Sequence, residues 1–384
     1  MKNIKWIIGI IILALIIIFI TSNKDSEQSI EKTGPIKIGH LAILSGPAAG
    51  LGEAQMEAFN LLLEETNAEG GINGRQVELV IEDYAYDSRQ ALSAYQTVKT
   101  KAKPEYYLQD GSSGAAVLAP IYVQDGVVNI ASSATTPAYF DESPLTCRLS
   151  ITADKYGLAM VNAIENQFGS DANIAFIMSA NEYGEGMLQS ITTEAKKKGM
   201  SIVMTEKFEV AETDYRTQIT KLAAAQEDID VLITVNVGSG VGTMFRQFKE
   251  LGFTKQVLSD NWSVMHPSIQ SREDLNGVLF IDYEYNSEDI TTQSEKAKNF
   301  VDEYQEQYDR LPNAIAANGY DALALFLKAI AATNDGGADA VANYFVNEMG
   351  TYEGVSGSIS FDNSCEVNRT TALRTIVDGK VVSK

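Results

Sequence analysis

The feature that most constrains this chain is a long alternation of short apolar runs with helical patterns. Residues 36–43, 77–81, 106–108 and 127–130 read as strands, with helices over 53–67, 88–103 and 115–124 between them. In the first helix Met56, Phe59, Leu62 and Leu63 recur at helical spacing. The cycle restarts beyond Ser150, with helices over 156–168, 184–198, 215–225 and 241–251. Its strands fall at 173–178, 201–205, 230–235, 257–258 and 277–282. Two further helices follow, over 293–309 and 319–332, and the tail around 355–380 alternates like antiparallel strands, with turns at Asp362-Asn363 and Asp378-Gly379. Repeated strand–helix units with short links predict parallel sheets covered on both faces. The expected fold is α/β: two Rossmann-like lobes, each a parallel sheet flanked by helices, with a cleft between them. In such sheets ligands sit beyond the carboxyl ends of the strands.

The 384 residues are too many for one ordinary domain and fit two lobes with cores of their own. The formal charge of -21, from 51 acids against 30 bases, argues against a nucleic-acid partner, which requires a cationic surface. Cys147 and Cys365 stand alone, with no redox pair and no metal-spaced cluster. In an oxidising compartment they pair; otherwise they are two buried thiols. At the N-terminus, Lys2 and Lys5 accompany an almost unbroken apolar run over residues 4–20. As a helix it spans about 25 Å, short of a hydrocarbon core of about 30 Å. Its flanks have no small-x-small cleavage site and no cysteine for a lipid, so residues 1–24 read as an uncleaved anchor before an atypical cleaved signal. The basic residues place the body on the extracytoplasmic side. Residues 25–33 form a polar tether.

The strand-end loops carry the candidate binding residues. Gly111-Ser112-Ser113-Gly114 opens a helix after a strand. Hydroxyls and outward backbone N–H groups there suit a carboxylate, although a serine at that place also caps a helix. Ser133-Ala134-Thr135 follows the next strand, and Tyr183 follows a strand of the second half. No Gly-x-Ser-x-Gly elbow, His-x-x-x-His pair or placed acid–base couple points to catalysis, and no cofactor is implied. His40, inside the first strand, reads as structural; His266 is a weaker candidate to line the cleft. Two isolated histidines make no metal site. Gly238, Gly240 and Gly242 lack the dinucleotide-binding spacing and read as tight turns.

These loops also carry a family pattern. Ile36-Lys37-Ile38-Gly39 followed by Leu44-Ser45-Gly46-Pro47-Ala48-Ala49-Gly50-Leu51-Gly52 resembles the start of type I periplasmic binding proteins, the branched-chain amino-acid-binding components of ABC importers in particular. The likeness continues at Asn67-Ala68-Glu69-Gly70-Gly71-Ile72-Asn73-Gly74-Arg75, at Ala131-Ser132-Ser133-Ala134-Thr135-Thr136-Pro137, at Tyr183-Gly184-Glu185-Gly186 and at Gly354-Val355-Ser356-Gly357-Ser358-Ile359-Ser360-Phe361-Asp362. Each motif is weak alone; their order and spacing over 35–383 are specific.

The resemblance implies two lobes joined by a three-crossing hinge, with lobe 1 over 34–152 and 283–354 and lobe 2 over 153–282 and 355–384. It implies a ligand-carboxylate contact in the Ser112-Ser113 loop, best matched to Ser112, with a backbone contact near Ser133 and the Thr135 hydroxyl. Tyr183, on the opposing lobe, has a flat face and a hydroxyl suited to closing over a ligand, or is a surface-loop tyrosine. Departures from the family are equally informative. Leu51 and Val237 stand where many amino-acid binders carry tyrosine. Asn261 stands where an acid usually takes the ligand ammonium, with Asp260 one residue away. Trp262 is placed either to stack on a planar ligand or to fill the rim. The implied function is a monomeric extracytoplasmic binding protein that passes a small polar solute, an amino acid or a similar carboxylate, to a membrane permease. The alternatives are a sensing module with a membrane signalling partner, or a binder of an amide or aromatic acid.

Overall fold

The computed structural model describes residues 33–139, 143–283, 285–288 and 293–384. The N-terminal apolar run and nearly all of the tether, on which the anchor reading rests, lie outside the described residues.

The first half of the body runs β1 (Ile36–Ala42), α1 (Ala49–Ala68), β2 (Val77–Asp83), α2 (Ser88–Ala102), β3 (Tyr106–Gln109), α3 (Ser112–Asp125), β4 (Val128–Ala131) and β5 (Thr146–Arg148). The five strands are all parallel, in the order β2-β1-β3-β4-β5. β3 and β4 are buried along their whole length, as strands covered on both faces must be. Asp87 starts α2 by accepting from the N–H groups of Arg89 and Gln90. Gly52 lets α1 press against the end of β1, since a Cβ there would stand 2.1 Å from the Ile43 carbonyl oxygen.

The second half runs α4 (Ala153–Phe168), β6 (Asn173–Ser179), α5 (Glu182–Lys197), β7 (Ser201–Phe208), α6 (Arg216–Ala224), β8 (Val231–Val235), α7 (Val241–Glu250), β9 (Gln256–Asp260), α8 (Asn261–Val264) and β10 (Leu279–Asp282). Its parallel strands lie in the order β7-β6-β8-β9-β10, the same winding as the first sheet. β7, at the edge, alternates exposed and half-buried residues, whereas β8 is buried throughout.

α9 (Glu295–Tyr308) and α10 (Ala314–Ala332) then return to the first sheet, where α10 lies along α1. α10 begins earlier than the periodicity predicts because Asn313 caps it, accepting from the Ala316 N–H at 2.9 Å. It is long and apolar enough to cross a membrane, yet 89% of its most apolar window is buried, which makes it a core helix. After α11 (Ala338–Asn343), the strands β11 (Tyr352–Gly354), β12 (Gly357–Phe361) and β13 (Val367–Asn368) form a small antiparallel sheet of their own. Only β14 (Ala372–Val377) and β15 (Lys380–Ser383) join the second sheet, antiparallel, beside β10.

The small sheet is fastened to the first sheet, not to the second. Cys147 on β5 and Cys365 form a disulfide across 218 residues of sequence, which decides between the two readings of these cysteines. Next to it, Arg148 and Glu366 pair as a parallel bridge and as an ion pair at 2.9 Å, with the Arg148 side chain almost wholly buried.

Candidate functional site

Each sheet reverses its winding between its first and third strands, and a crevice opens at such a switch point beyond the carboxyl ends. The two crevices face each other and are closed together. The Ser239 N–H donates to the Pro47 carbonyl at 2.9 Å, and the Ser88 hydroxyl donates to Glu182 at 2.7 Å. Gly50 and Gly186 sit against Pro267 and Pro137 of the opposing halves, at ideal-Cβ separations of 3.4 and 3.0 Å.

On the first half, Gly111 makes the turn into α3 with φ +68°, where a Cβ would collide with the Tyr86 ring. Ser112 and Ser113 are the first residues of α3 and both are buried. The Ser112 oxygen accepts from the Thr135 N–H at 3.2 Å, and Ser113 donates to the Tyr86 carbonyl at 2.9 Å. Ser133 accepts from the Gly111 N–H at 2.8 Å and from Gln55 at 3.3 Å. These three serines therefore brace the strand-end loops against one another. Thr135 differs: it is fully buried and its hydroxyl has no hydrogen-bond partner among the described residues. Leu51 is buried in the first turn of α1.

On the second half, Asn181 caps α5 and thereby sets Tyr183 in the first turn, facing Asp260. The Tyr183 hydroxyl is buried; it stands close enough to Asp260 to stabilise the carboxylate, but completes no hydrogen bond with it. Asp260 ends β9 and caps α8, accepting from the Ser263 N–H at 2.9 Å and the Ser263 hydroxyl at 3.0 Å. Burial pushes its pKa up to about 6, against the stabilising bonds from Ser263 and the influence of Tyr183. No cation pairs with it among the described residues. A lone buried carboxylate is costly, and the cost falls when a positive group approaches. Asn261 is otherwise engaged: its Oδ1 accepts from the Tyr156 hydroxyl at 2.6 Å. Val237 is buried with its N–H on Ser179 at 3.3 Å. Trp262 is buried edge-to-face against Tyr283, and its indole N–H has no partner.

Further residues here are not among those the sequence singles out. Tyr283 follows β10, and its buried hydroxyl has no hydrogen-bond partner among the described residues. Arg369, between β13 and β14, lies 5.4 Å from the centre of the Tyr283 ring and donates to Asn318 at 2.7 Å and to Ser356 at 2.6 Å. Asp321, which accepts from the N–H groups of Val355 and Ser356, offsets the charge of Arg369. Arg374 likewise stands 3.2 Å from Asp282. A tyrosine immediately after a strand end was the one sequence hint available, at Tyr283.

His40 is buried against Phe59 with Nε2 3.1 Å from Asp110, so its place is inside the first lobe. His266 is buried, and desolvation pushes its pKa down to about 4, leaving it neutral at pH 7. Among the described residues no three His, Cys, Asp or Glu side chains converge as metal ligands.

Comparison with known proteins agrees with this geometry. The profile of the periplasmic binding protein family matches residues 35–380. The Leu/Ile/Val-binding protein homolog 1 of Brucella abortus is 24% identical over 321 residues, 83% of this chain and 84% of the relative. The leucine-, isoleucine-, valine-, threonine- and alanine-binding protein of Pseudomonas aeruginosa is 23% identical over 331 residues, 85% of this chain and 86% of the relative. Two solved structures superpose closely. The substrate-binding protein LivJ of Streptococcus pneumoniae, in complex with isoleucine, gives a TM-score of 0.78 at 24% identity and covers 90% of this chain and 97% of its own. A Rhodopseudomonas palustris solute-binding protein in complex with benzoate gives 0.79 at 17% identity, covering 91% and 95%. With the family profile spanning the whole body and the two closed half-sites built on a common winding, this chain belongs to the periplasmic binding protein family, as a type I solute-binding protein resembling the branched-chain amino-acid binders.

Proposed function

We propose that the cleft binds an α-amino acid as its zwitterion and presents it to an ABC-type importer. The carrying observation is Asp260, a buried carboxylate with no cationic partner, facing Tyr183. The ligand ammonium supplies that missing charge. The ligand carboxylate takes the hydroxyls of Thr135 and Ser112 and the N–H groups that open α3, where the helix dipole favours an anion. Ser113 and Ser133 hold that loop in shape. Leu51 and Val237 line the walls, Tyr183 closes over the ligand and Trp262 bounds its far end. Asp260, and not Asn261, is the ammonium partner, because Asn261 is already bonded to Tyr156.

The two lobes hinge where the chain passes between the sheets. The crossings are near Ser150, near Tyr283 and at 369–371, since residues 352–368 pair beside the first sheet. On this reading lobe 1 includes residues up to 368. Closure is a population shift driven by contacts that the ligand makes with both lobes. The Leu/Ile/Val-binding relatives support an amino-acid ligand. The disulfide supports an oxidising, extracytoplasmic setting. Isothermal titration with L-amino acids on the wild type and on Asp260→Asn tests the reading. Amino-acid binding that is present in the wild type and abolished in the variant supports it; binding of benzoate but of no amino acid refutes it.

A further inference from the structure

Resting on the zwitterion reading, we infer that the ligand's side chain is polar and uncharged, an amide of the glutamine or asparagine kind, received by Trp262, Tyr283 and Asn318. Once Thr135 serves the ligand carboxylate and Tyr183 the Asp260 end, three buried donors around the Tyr283 ring, besides the Arg369 Nε, have no hydrogen-bond partner among the described residues. They are the Trp262 indole N–H, the Tyr283 hydroxyl and the Asn318 Nδ2. All three residues are at least nine-tenths buried, and Trp262 and Tyr283 are in ring contact at 6.5 Å.

The orientation of Asn318 is fixed by chemistry. Arg369 has only donors, so the atom that receives its guanidinium at 2.7 Å is Oδ1, and Nδ2 points elsewhere. The polar neighbours of the Tyr283 hydroxyl are Ser150, Tyr156 and Asn318, yet it completes a hydrogen bond with none of them. Arg369, over the Tyr283 ring, adds a positive field that favours an oxygen there. An aliphatic side chain would leave every one of these donors buried and unpaired, a penalty larger than the gain of one good bond.

Charge excludes a second carboxylate. Arg369 is already offset by Asp321, and Arg374 by Asp282, so neither arginine offers an uncompensated positive charge to a second carboxylate. A carbonyl oxygen accepts from Tyr283 and Asn318, and the amide N–H of the ligand finds the oxygens of Ser150 and Tyr156.

The test is isothermal titration of the full-length protein with L-leucine, L-isoleucine, L-glutamine, L-asparagine and L-glutamate, for the wild type and Tyr283→Phe. The expected result is an amide amino acid bound at least tenfold more tightly than leucine, and an amide-to-leucine affinity ratio that falls about tenfold in the variant. Leucine or isoleucine binding more tightly than both amides overturns the inference and leaves the zwitterion reading standing. Glutamate binding more tightly than glutamine overturns the uncharged class. An unchanged ratio in Tyr283→Phe overturns the assigned role of Tyr283. If no amino acid binds while benzoate does, the zwitterion reading itself fails and takes this inference with it.

Discussion

The two faces of the cleft are built on the same winding and differ in how their polar groups are used. On the first lobe Ser112, Ser113 and Ser133 all bond to neighbouring loops, and of these strand-end residues Thr135 keeps a hydroxyl unpaired among the described residues. On the second lobe and the hinge, Tyr183, Trp262 and Tyr283 all bury unpaired groups, beside the uncompensated Asp260. On the proposed zwitterion reading, one face is a braced cradle for an anion, while the other has unmet hydrogen bonds and an unmet charge. On that reading the first lobe fixes where a ligand sits, and the second decides which ligand is accepted.

The largest expected effect tests the unmet charge. Asp260→Asn removes a buried partner of the ligand ammonium and is expected to weaken amino-acid binding by about a hundredfold or more, the scale of breaking a buried ion pair. Asparagine still caps α8, so the melting temperature without ligand is expected to hold. Next comes the fastening of the first lobe. Replacing Cys147 and Cys365 by serine opens a 218-residue loop and is expected to cost about 2–5 kcal/mol, read by denaturant unfolding.

The cradle itself predicts a contrast. Thr135→Val is expected to cost ten- to a hundredfold in affinity, as loss of a hydrogen bond to a charged group does, with little change in stability. Ser113→Ala reverses this: about 1 kcal/mol of stability and less than threefold in affinity. Equal affinity losses in the two variants would erase the distinction between cradle and brace.

The pH dependence is smaller again. Without ligand, folded Asp260 keeps its proton up to about 6, whereas the unfolded chain loses it near 3.8. Its contribution to unliganded stability is therefore present at low pH and lost as pH rises between those values. An ammonium ligand needs the ionised form, so affinity is expected to fall about tenfold from pH 7 to pH 5. A flat profile by titration at both pH values would detach the ligand from Asp260.

Much of this molecule is legible in the sequence. The strand–helix alternation through residue 282 gives every long element, because unbroken apolar runs and helical spacing are strong local signals. The Thr-Cys-Arg strand β5 and the two-residue β13 escape, since they are too short to carry a pattern. The bent tail escapes for another reason. Alternation at 355–380 predicts strands, but not that 357–368 belongs beside Cys147 while 372–383 belongs beside β10. Ser112, Thr135 and Tyr183 follow strand ends, which makes them candidates, but the ligand roles of Ser112 and Thr135 come from the family resemblance. The choice between Asp260 and Asn261 is not legible in the sequence, because a shift of one residue exchanges an acid for an amide. The proposed preference for Asp260 rests on where β9 stops and on the bond from Tyr156 to Asn261. Tyr283, Asn318 and Arg369 come from three distant segments that only the fold brings together.

The most direct test of the central claim is to identify the small molecule retained by the protein when it is purified without denaturation, by mass spectrometry of the released ligand. The account predicts an α-amino acid, released when Asp260 is replaced by asparagine. A retained molecule with no amino group, such as an aromatic acid, would contradict it.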